Sequence, residues 1–267
     1  MCFNPAMANS LHTPAGSLRV HHFGDGAVQH VALHGFTLTG ASMASLGAHL
    51  DGVTLAPDLP GHGETSLVEV DLAATKTALV TLLSALDVPP ILIGYSQGGR
   101  IAAHVASDRP DVIQGLVMIS ATCGLRDRAR RERRRSDEKT ARDIESLGVS
   151  AFLDDWLVRP LTATTGLPED VAAWDRKIRT GNTSGGLAAA VRGLGQGALP
   201  RVDATSLNMA TMWMAGGADE TYAATMRMEA VRAGGRFVLI PDVGHNVVLE
   251  QPAVVAEYIT AWAETLL

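Results

Sequence analysis

The sequence predicts an α/β fold: a mostly parallel sheet covered by helices on both faces and interrupted by a helical insertion. Two features of the pattern predict it. Short apolar runs alternate with longer stretches at helical spacing, as in sheets buried on both sides. That rhythm then stops for roughly 80 residues, far beyond ordinary loop length, before it resumes. Arg19–Phe23, His30–Leu33 and Val53–Ala56 read as the early strands. Val68–Leu86 repeats apolar residues at helical spacing and reads as a helix. Ile91–Tyr95 is a compact apolar strand, Gln97–Ser107 the helix after it, and Gly115–Ile119 the next strand.

Between Gly124 and Ala204 the sequence shows no strand pattern. Leu125–Leu147 is highly charged but helical in pattern, and Ala151–Leu157 reads as a short helix. Glu169–Arg179 is a third helix, opened by Pro168, and the Gly-rich stretch Thr183–Leu194 a fourth. Alternation resumes with strand Thr211–Ala215, helix Thr221–Arg232, strand Arg236–Ile240 and a closing helix, Pro252–Leu266. The expected organisation is a core from 16 to 123, a helical cap from 124 to 204, and the rest of the core from 205 to 267. Met1 to Ala15 reads as a loose extension.

The chain has 267 residues, enough to bury a large core without covalent staples. A formal net charge of −6 argues against a general nucleic-acid binder. Its two cysteines, Cys2 and Cys123, form neither a disulfide framework nor a metal-ligand spacing, which suits a reducing cytosol. Residues 1–18 lack the cationic start and apolar run of a signal peptide. No stretch approaches the roughly 20 apolar residues that span a bilayer. The expectation is a cytoplasmic protein acting on a small molecule, with neither nucleic acid nor membrane as partner and the oligomeric state left open. No dinucleotide fingerprint or metal cluster is visible, so no cofactor and no metal are expected.

The chemistry starts at Gly94-Tyr95-Ser96-Gln97-Gly98, a G-x-S-x-G between an apolar strand and a helix. That context marks a nucleophile elbow, where a sharp strand-to-helix turn exposes the serine. Asp219 follows strand Thr211–Ala215, and His245 follows the last strand. The chain order Ser, Asp, His at strand ends is that of α/β-hydrolases, and it predicts the triad Ser96, Asp219 and His245. Asp242 is a rival acid; three residues before the histidine, it reads as structural. His34-Gly35-Phe36 follows an early strand, where this fold places one oxyanion-hole amide. Phe36 and Gln97 are therefore the expected backbone donors. His34 itself and the turn-rich Asp58-Leu59-Pro60-Gly61-His62-Gly63 read as structural. The run Arg126 to Arg135 holds seven arginines against Asp127 and Glu132. Most belong on a solvated helix face with i,i+4 pairs. One or two could turn inward to grip a carboxylate.

Taken together, the motifs make the sequence resemble a specific family. D-L-P-G-H-G at 58–63, G-Y-S-Q-G-G-R at 94–100 and E-R-R-R-S-D at 132–137 carry the resemblance. So do D-D-W at 154–156, I-R-T-G-N at 178–182, G-H-N at 244–246 and E-Q-P at 250–252. With these, the chain from about residue 30 onward is similar to the 2-succinyl-6-hydroxy-2,4-cyclohexadiene-1-carboxylate synthases of menaquinone biosynthesis. The first two motifs are shared by many hydrolases; Arg100 and the insertion motifs are more specific. The resemblance implies that Arg100, Arg133 and Arg179 bind substrate carboxylates while Tyr95 and Trp156 line the pocket. It implies a cofactor-independent lyase that eliminates pyruvate from a multi-carboxylate substrate, 2-succinyl-5-enolpyruvyl-6-hydroxy-3-cyclohexene-1-carboxylate. Ser96, activated by His245, would remove a proton beside a carboxylate. Two other readings stay open. One is a serine esterase or C–C bond hydrolase acting through a covalent acyl-serine. The other is a non-catalytic small-molecule receptor of the same fold, which would gain nothing from the arginine set.

Overall fold

Strands that are apolar at nearly every position must be covered on both sides, and the architecture follows from that. The structure, a computed structural model, describes residues 9–159, 162–163 and 167–266. Among these, nine strands form one sheet: β1 (Ser10–Thr13), β2 (Gly16–Phe23), β3 (Val28–Leu33), β4 (Val53–Pro57), β5 (Ser66–Leu67), β6 (Ile91–Tyr95), β7 (Gly115–Ile119), β8 (Ala210–Gly216) and β9 (Arg236–Ile240). Their spatial order is β1-β2-β4-β3-β6-β7-β8-β9, with β5 also beside β2. Pairings among β1, β2, β4 and β5 are antiparallel; those from β4 through β3 and β6 to β9 are parallel. The helices are α1 (Ala44–Gly47), α2 (Leu72–Ser84), α3 (Gln97–Asp108), α4 (Asp127–Trp156), α5 (Glu169–Thr180), α6 (Ser184–Leu194), α7 (Glu220–Ala233), α8 (Val247–Glu250) and α9 (Pro252–Ala263).

The strand period of two sorts side chains into two cores. On one face, Leu92 of β6, Leu116 and Met118 of β7, and Trp213 and Ala215 of β8 pack with the apolar sides of α2, α3 and α7. On the other, Ile91, Ile93 and Tyr95, then Val117 and Ile119, then Met212 and Met214, meet residues of α1, α8 and α9. Each fully buried side chain of this size contributes roughly 1.5–3 kcal/mol.

Besides the short elements β5, α1 and α8, which the sequence did not mark, the structure departs from the sequence-based expectation in three places. Ser10–Thr13 is not a loose extension but β1, with Leu11 buried against β2. Residues 1–8, including Cys2, lie outside the described residues. The first long helix begins at Leu72, not Val68, because Asp71 caps it, its carboxylate accepting the Ala74 N–H at 2.8 Å. Helix α4 runs through both predicted segments, Leu125–Leu147 and Ala151–Leu157. They are two helical pieces joined at Gly148, whose φ of 78° breaks the helical geometry.

Between β7 and β8 the chain leaves the sheet, and α4 packs against both α5 and α6. Phe36, in the loop after β3, enters this packing beside Ala141, Val191 and Trp156. Asn182, at the turn from α5 to α6, holds the insertion to the core. Its Nδ2 donates to the Thr37 carbonyl at 2.8 Å, and its Oδ1 accepts the Gly63 N–H at 2.8 Å. Among the described residues, no helix is long and apolar enough to cross a membrane.

Candidate active site

The turn from β6 into α3 forces Ser96 to φ 51°, ψ −109°, a strained backbone for a residue with a side chain. The surroundings over-determine it. Ser96 N–H donates to the Ile119 carbonyl at 2.9 Å, and Gly98 N–H donates to the His34 carbonyl at 3.0 Å. A Cβ at Gly94 would stand 2.5 Å from the Gly99 Cα, and one at Gly98 2.3 Å from the Leu33 carbonyl oxygen. Side chains at these two positions are therefore excluded by backbone that cannot yield.

Ser96, Asp219 and His245, separated widely in sequence, are brought into one hydrogen-bonded line. His245 Nε2 lies 3.1 Å from Ser96 Oγ, and its Nδ1 lies 2.7 Å from Asp219 Oδ2. Asp219 also caps α7, its other oxygen accepting the Tyr222 N–H at 3.3 Å. The loop carrying His245 is tied by Glu250, which accepts the Gly244 N–H at 2.8 Å. Asp242 is exposed, and Asp219 is the carboxylate that meets the histidine. In this geometry the imidazole can take the serine proton while the carboxylate fixes the tautomer.

A cavity of about 90 Å³ opens over Ser96. It is walled by Phe36, Tyr95, Gln97, Arg100, Arg133, Trp156, Arg179 and His245, which are all the predicted site residues except the two acid-and-nucleophile ends of the triad; Ser96 forms its floor and Asp219 sits behind His245. Gln97 opens α3, so its N–H belongs to the free first turn that faces the cavity. The aromatic wall is continuous. Phe36 meets Trp156 edge-on at 5.6 Å, and Trp156 stacks on Phe152 at 5.3 Å. Burial raises the Tyr95 hydroxyl far above its ordinary value, so it stays protonated.

The three arginines are not equivalent. Arg179 is buried and bidentate to Asp175, at 2.6 Å and 3.0 Å, and its remaining nitrogen reaches the Thr37 hydroxyl. Arg133 is half-exposed; its Nε meets Asp137 at 2.6 Å and its Nη1 meets Gln196 Oε1 at 2.9 Å. Arg100 is 8% exposed, forms no carboxylate ion pair among the described residues, and has a buried Nε without a partner. Burial pushes its guanidinium below the ordinary value, and the neighbouring Tyr222 hydroxyl opposes that shift. An arginine titrates too high for this to neutralise it at physiological pH, so the cavity holds an uncompensated positive charge. The rest of the basic run behaves as a solvated face: Arg128 pairs with Glu132, and Arg130 with Asp127.

Sequence reasoning missed Asp137, Asp175, Gln196 and Tyr222. The two aspartates were within reach, because Arg133–Asp137 and Asp175–Arg179 are i,i+4 pairs on predicted helices. Gln196 and Tyr222 carried no comparable signal, since only folding places them beside Arg100.

His34 and His62 prove structural. His34 Nε2 accepts the Leu59 N–H at 2.8 Å and its Nδ1 faces the Gly35 carbonyl; His62 Nε2 accepts the Thr37 N–H at 3.2 Å and its Nδ1 faces the Pro60 carbonyl. Asp58, in the same loop, accepts the Gly40 and Glu64 amides at 2.7 Å and 2.9 Å. Each imidazole must remain neutral to accept, and burial lowers His34 to about 4 and His62 to about 3. Because these folded-state values lie below the unfolded 6.5, the unfolded chain binds more protons in between. Their contribution is complete above pH 6.5 and drains away as the pH falls towards 4 and then 3. Urea midpoints are expected to drop steadily on acidification through this window; a flat profile would contradict the assignment.

The sequence matches the alpha/beta hydrolase family over residues 31–258, most of the chain. The chain belongs to that family. Within it, the 2-succinyl-6-hydroxy-2,4-cyclohexadiene-1-carboxylate synthase of Escherichia coli O1:K1 is 31% identical over 229 residues, covering 84% of this chain and 88% of its own length. A Bacillus subtilis (strain 168) protein, provisionally given the same name, is 33% identical over 248 residues, covering 86% of this chain and 90% of its own. Among solved structures, MenH from S. aureus superposes with a TM-score of 0.85 at 25% identity, covering 92% of this chain and 98% of that one. A thermophilic esterase from Thermogutta terrifontis gives a TM-score of 0.83 at 24% identity, covering 96% of this chain and 98% of its own; this shows the shared fold alone. The alpha/beta hydrolase fold expected from the elbow and the order of the triad is thus the fold of this family member.

Proposed function

We propose that this family member is a cofactor-independent lyase that eliminates pyruvate from 2-succinyl-5-enolpyruvyl-6-hydroxy-3-cyclohexene-1-carboxylate in menaquinone biosynthesis. The observation that carries the reading is Arg100, a buried guanidinium without a carboxylate partner, in the cavity that also holds Ser96 and His245. A site for neutral esters has no use for such a charge; a site for a multiply anionic substrate does. The names of the Escherichia coli and Bacillus subtilis relatives, and the likeness to the S. aureus protein, point the same way.

In the proposed mechanism Ser96, Asp219 and His245 are the catalytic residues. His245 withdraws the Ser96 proton, and Ser96 Oγ removes a proton from the substrate carbon beside a carboxylate. The C–H electron pair forms a new C=C bond in the ring as the C–O bond to the enolpyruvyl group breaks. The leaving group takes a proton and tautomerises to pyruvate. The Phe36 and Gln97 amides meet the negative charge that develops, and the arginines hold the carboxylates in register. Tyr95 and Trp156 complete the binding wall. The protein would act in the cytoplasm.

The reading is tested by supplying the intermediate and following pyruvate. Pyruvate release with little turnover of short acyl esters is the expected result. Ester hydrolysis without pyruvate release would favour the acyl-serine reading, and turnover of neither would favour the receptor. Among the described residues, no group of three or more His, Cys, Asp or Glu side chains could hold a metal ion. Activity is accordingly expected to survive exhaustive chelation, and a reversible loss on adding chelator would contradict it.

A further inference from the structure

Tyr222 belongs to none of the motifs that mark the site, yet its side chain reaches the centre of it. It lies three residues after Asp219, in the first turn of α7, and lines the cavity. Its ring meets the His245 imidazole edge-on, 4.6 Å between centroids. The hydroxyl then sits among donors. Arg133 Nη1 points at Gln196 Oε1 at 2.9 Å, and an arginine has no acceptor to offer, so this contact fixes which end of the Gln196 amide is oxygen. Gln196 Nε2 therefore faces Tyr222 Oη and donates to it at 3.3 Å. The other polar neighbour, the Arg100 guanidinium, is also donor-only. Neither neighbour can take the Tyr222 proton. Oη is an acceptor towards the protein, and its O–H is left to point into the cavity.

From this arrangement we infer that Tyr222 is a substrate-binding residue whose hydroxyl donates to the same carboxylate that Arg100 holds. The inference rests on the multi-carboxylate reading of the site. Arg100 supplies charge and has no carboxylate partner among the described residues to fix its plane, and a second donor beside it makes the anion's position single-valued. The relay Arg133–Gln196–Tyr222 polarises the hydroxyl, since each donor draws electron density from the next group, so the O–H becomes a better donor to an anion. Arg133 would thus act on the substrate partly through Tyr222.

Tyr222→Phe keeps the ring and its packing on His245 and removes only the hydroxyl. With 2-succinyl-5-enolpyruvyl-6-hydroxy-3-cyclohexene-1-carboxylate, KM is expected to rise roughly ten- to a hundred-fold, the cost of a hydrogen bond to a charged group, while kcat stays near wild type. The rate at which a neutral fluorophosphonate labels Ser96 should not change, because it reports the triad alone. An unchanged KM overturns the inference. So does a loss that appears equally in kcat and in labelling, which would mean that the hydroxyl acts through His245. If the wild-type protein releases no pyruvate, the lyase reading fails by itself. Tyr222 is then judged by how well the same compound protects Ser96 from labelling. About tenfold weaker protection in Tyr222→Phe supports the assignment, whereas equal protection, or none in either protein, overturns it.

Discussion

Ser96→Ala and His245→Ala are each expected to cut turnover by about three to six orders of magnitude while the protein stays folded. Ser96 Oγ has His245 as its hydrogen-bond partner, and the strained elbow is held by backbone contacts from Ile119 and His34 that alanine leaves untouched. Thermal unfolding should therefore move little. The double variant should be no worse than the poorer single one, because residues that act as a unit do not lose activity additively. Asp219→Asn separates two roles. Asparagine caps a helix about as well as aspartate, so α7 should keep its start, while His245 loses the carboxylate that fixes its tautomer. The expected outcome is a large fall in kcat at nearly unchanged stability. Near-normal turnover by well-folded Ser96→Ala would remove Ser96 from the mechanism.

The second large effect concerns the arginines, and the structure ranks them. Arg100→Ala removes a buried charge with no internal carboxylate partner, so its loss should fall on the substrate. A hydrogen bond to a charged group is worth roughly 1.5–3 kcal/mol, or about ten- to 150-fold in kcat/KM. Arg100→Lys should also be poor, since an ammonium cannot reproduce the planar fork. Arg179→Ala should first be a stability variant. Asp175 is 1% exposed, and stripping it of its bidentate partner leaves a buried carboxylate unpaired. That typically costs about 3–5 kcal/mol, enough to loosen α5 against the Thr37 loop. Arg133→Ala should fall between the two, because Asp137 keeps the Gly197 amide at 2.8 Å as a partner. Exposed Arg126 and Arg128 serve as controls and should alter only salt-dependent encounter. Kinetics with the multi-carboxylate substrate, read beside thermal unfolding, separates these outcomes. An Arg100→Ala protein as active as the controls would sink the anion-binding role of that cavity.

This ranking adds a distinction to the expectation. The family resemblance treats Arg100, Arg133 and Arg179 alike, and the cavity does contain all three. Two of them, however, are committed to aspartates one helical turn away, Asp137 and Asp175, which hold the guanidinium planes in place before any substrate arrives. Arg179 in particular joins α5 to the loop after β3 through Thr37, next to the Asn182 clamp. It shapes the wall of the cavity that Phe36 also lines.

The elements that were legible in the sequence are those governed by short-range periodicity. β6 and β7 fall on the residues their apolar runs mark, because a strand buried on both faces has no polar position to blur its ends; β9 falls on its marked residues too, although Arg236 and Leu239 are exposed. The elbow and the order of the triad were equally legible, since strained turns need glycine and strand ends in this fold lie at the site. The strands β1 and β5 were not, because four and two residues carry too little pattern, and only pairing with β2 makes them strands. Nor was the difference among the arginines, which depends on what each guanidinium meets across the fold. Period, glycine placement and the order of residues after the strands thus determined the alpha/beta hydrolase architecture and singled out Ser96, Asp219 and His245, which the fold brings into one hydrogen-bonded line. The tertiary structure alone decided that Arg100 would be left without a carboxylate partner among the described residues and that Tyr222, held by Gln196, would stand beside it. These contacts join α3, the end of α6 and the start of α7, which are distant along the chain, and no local pattern records a meeting that only packing brings about.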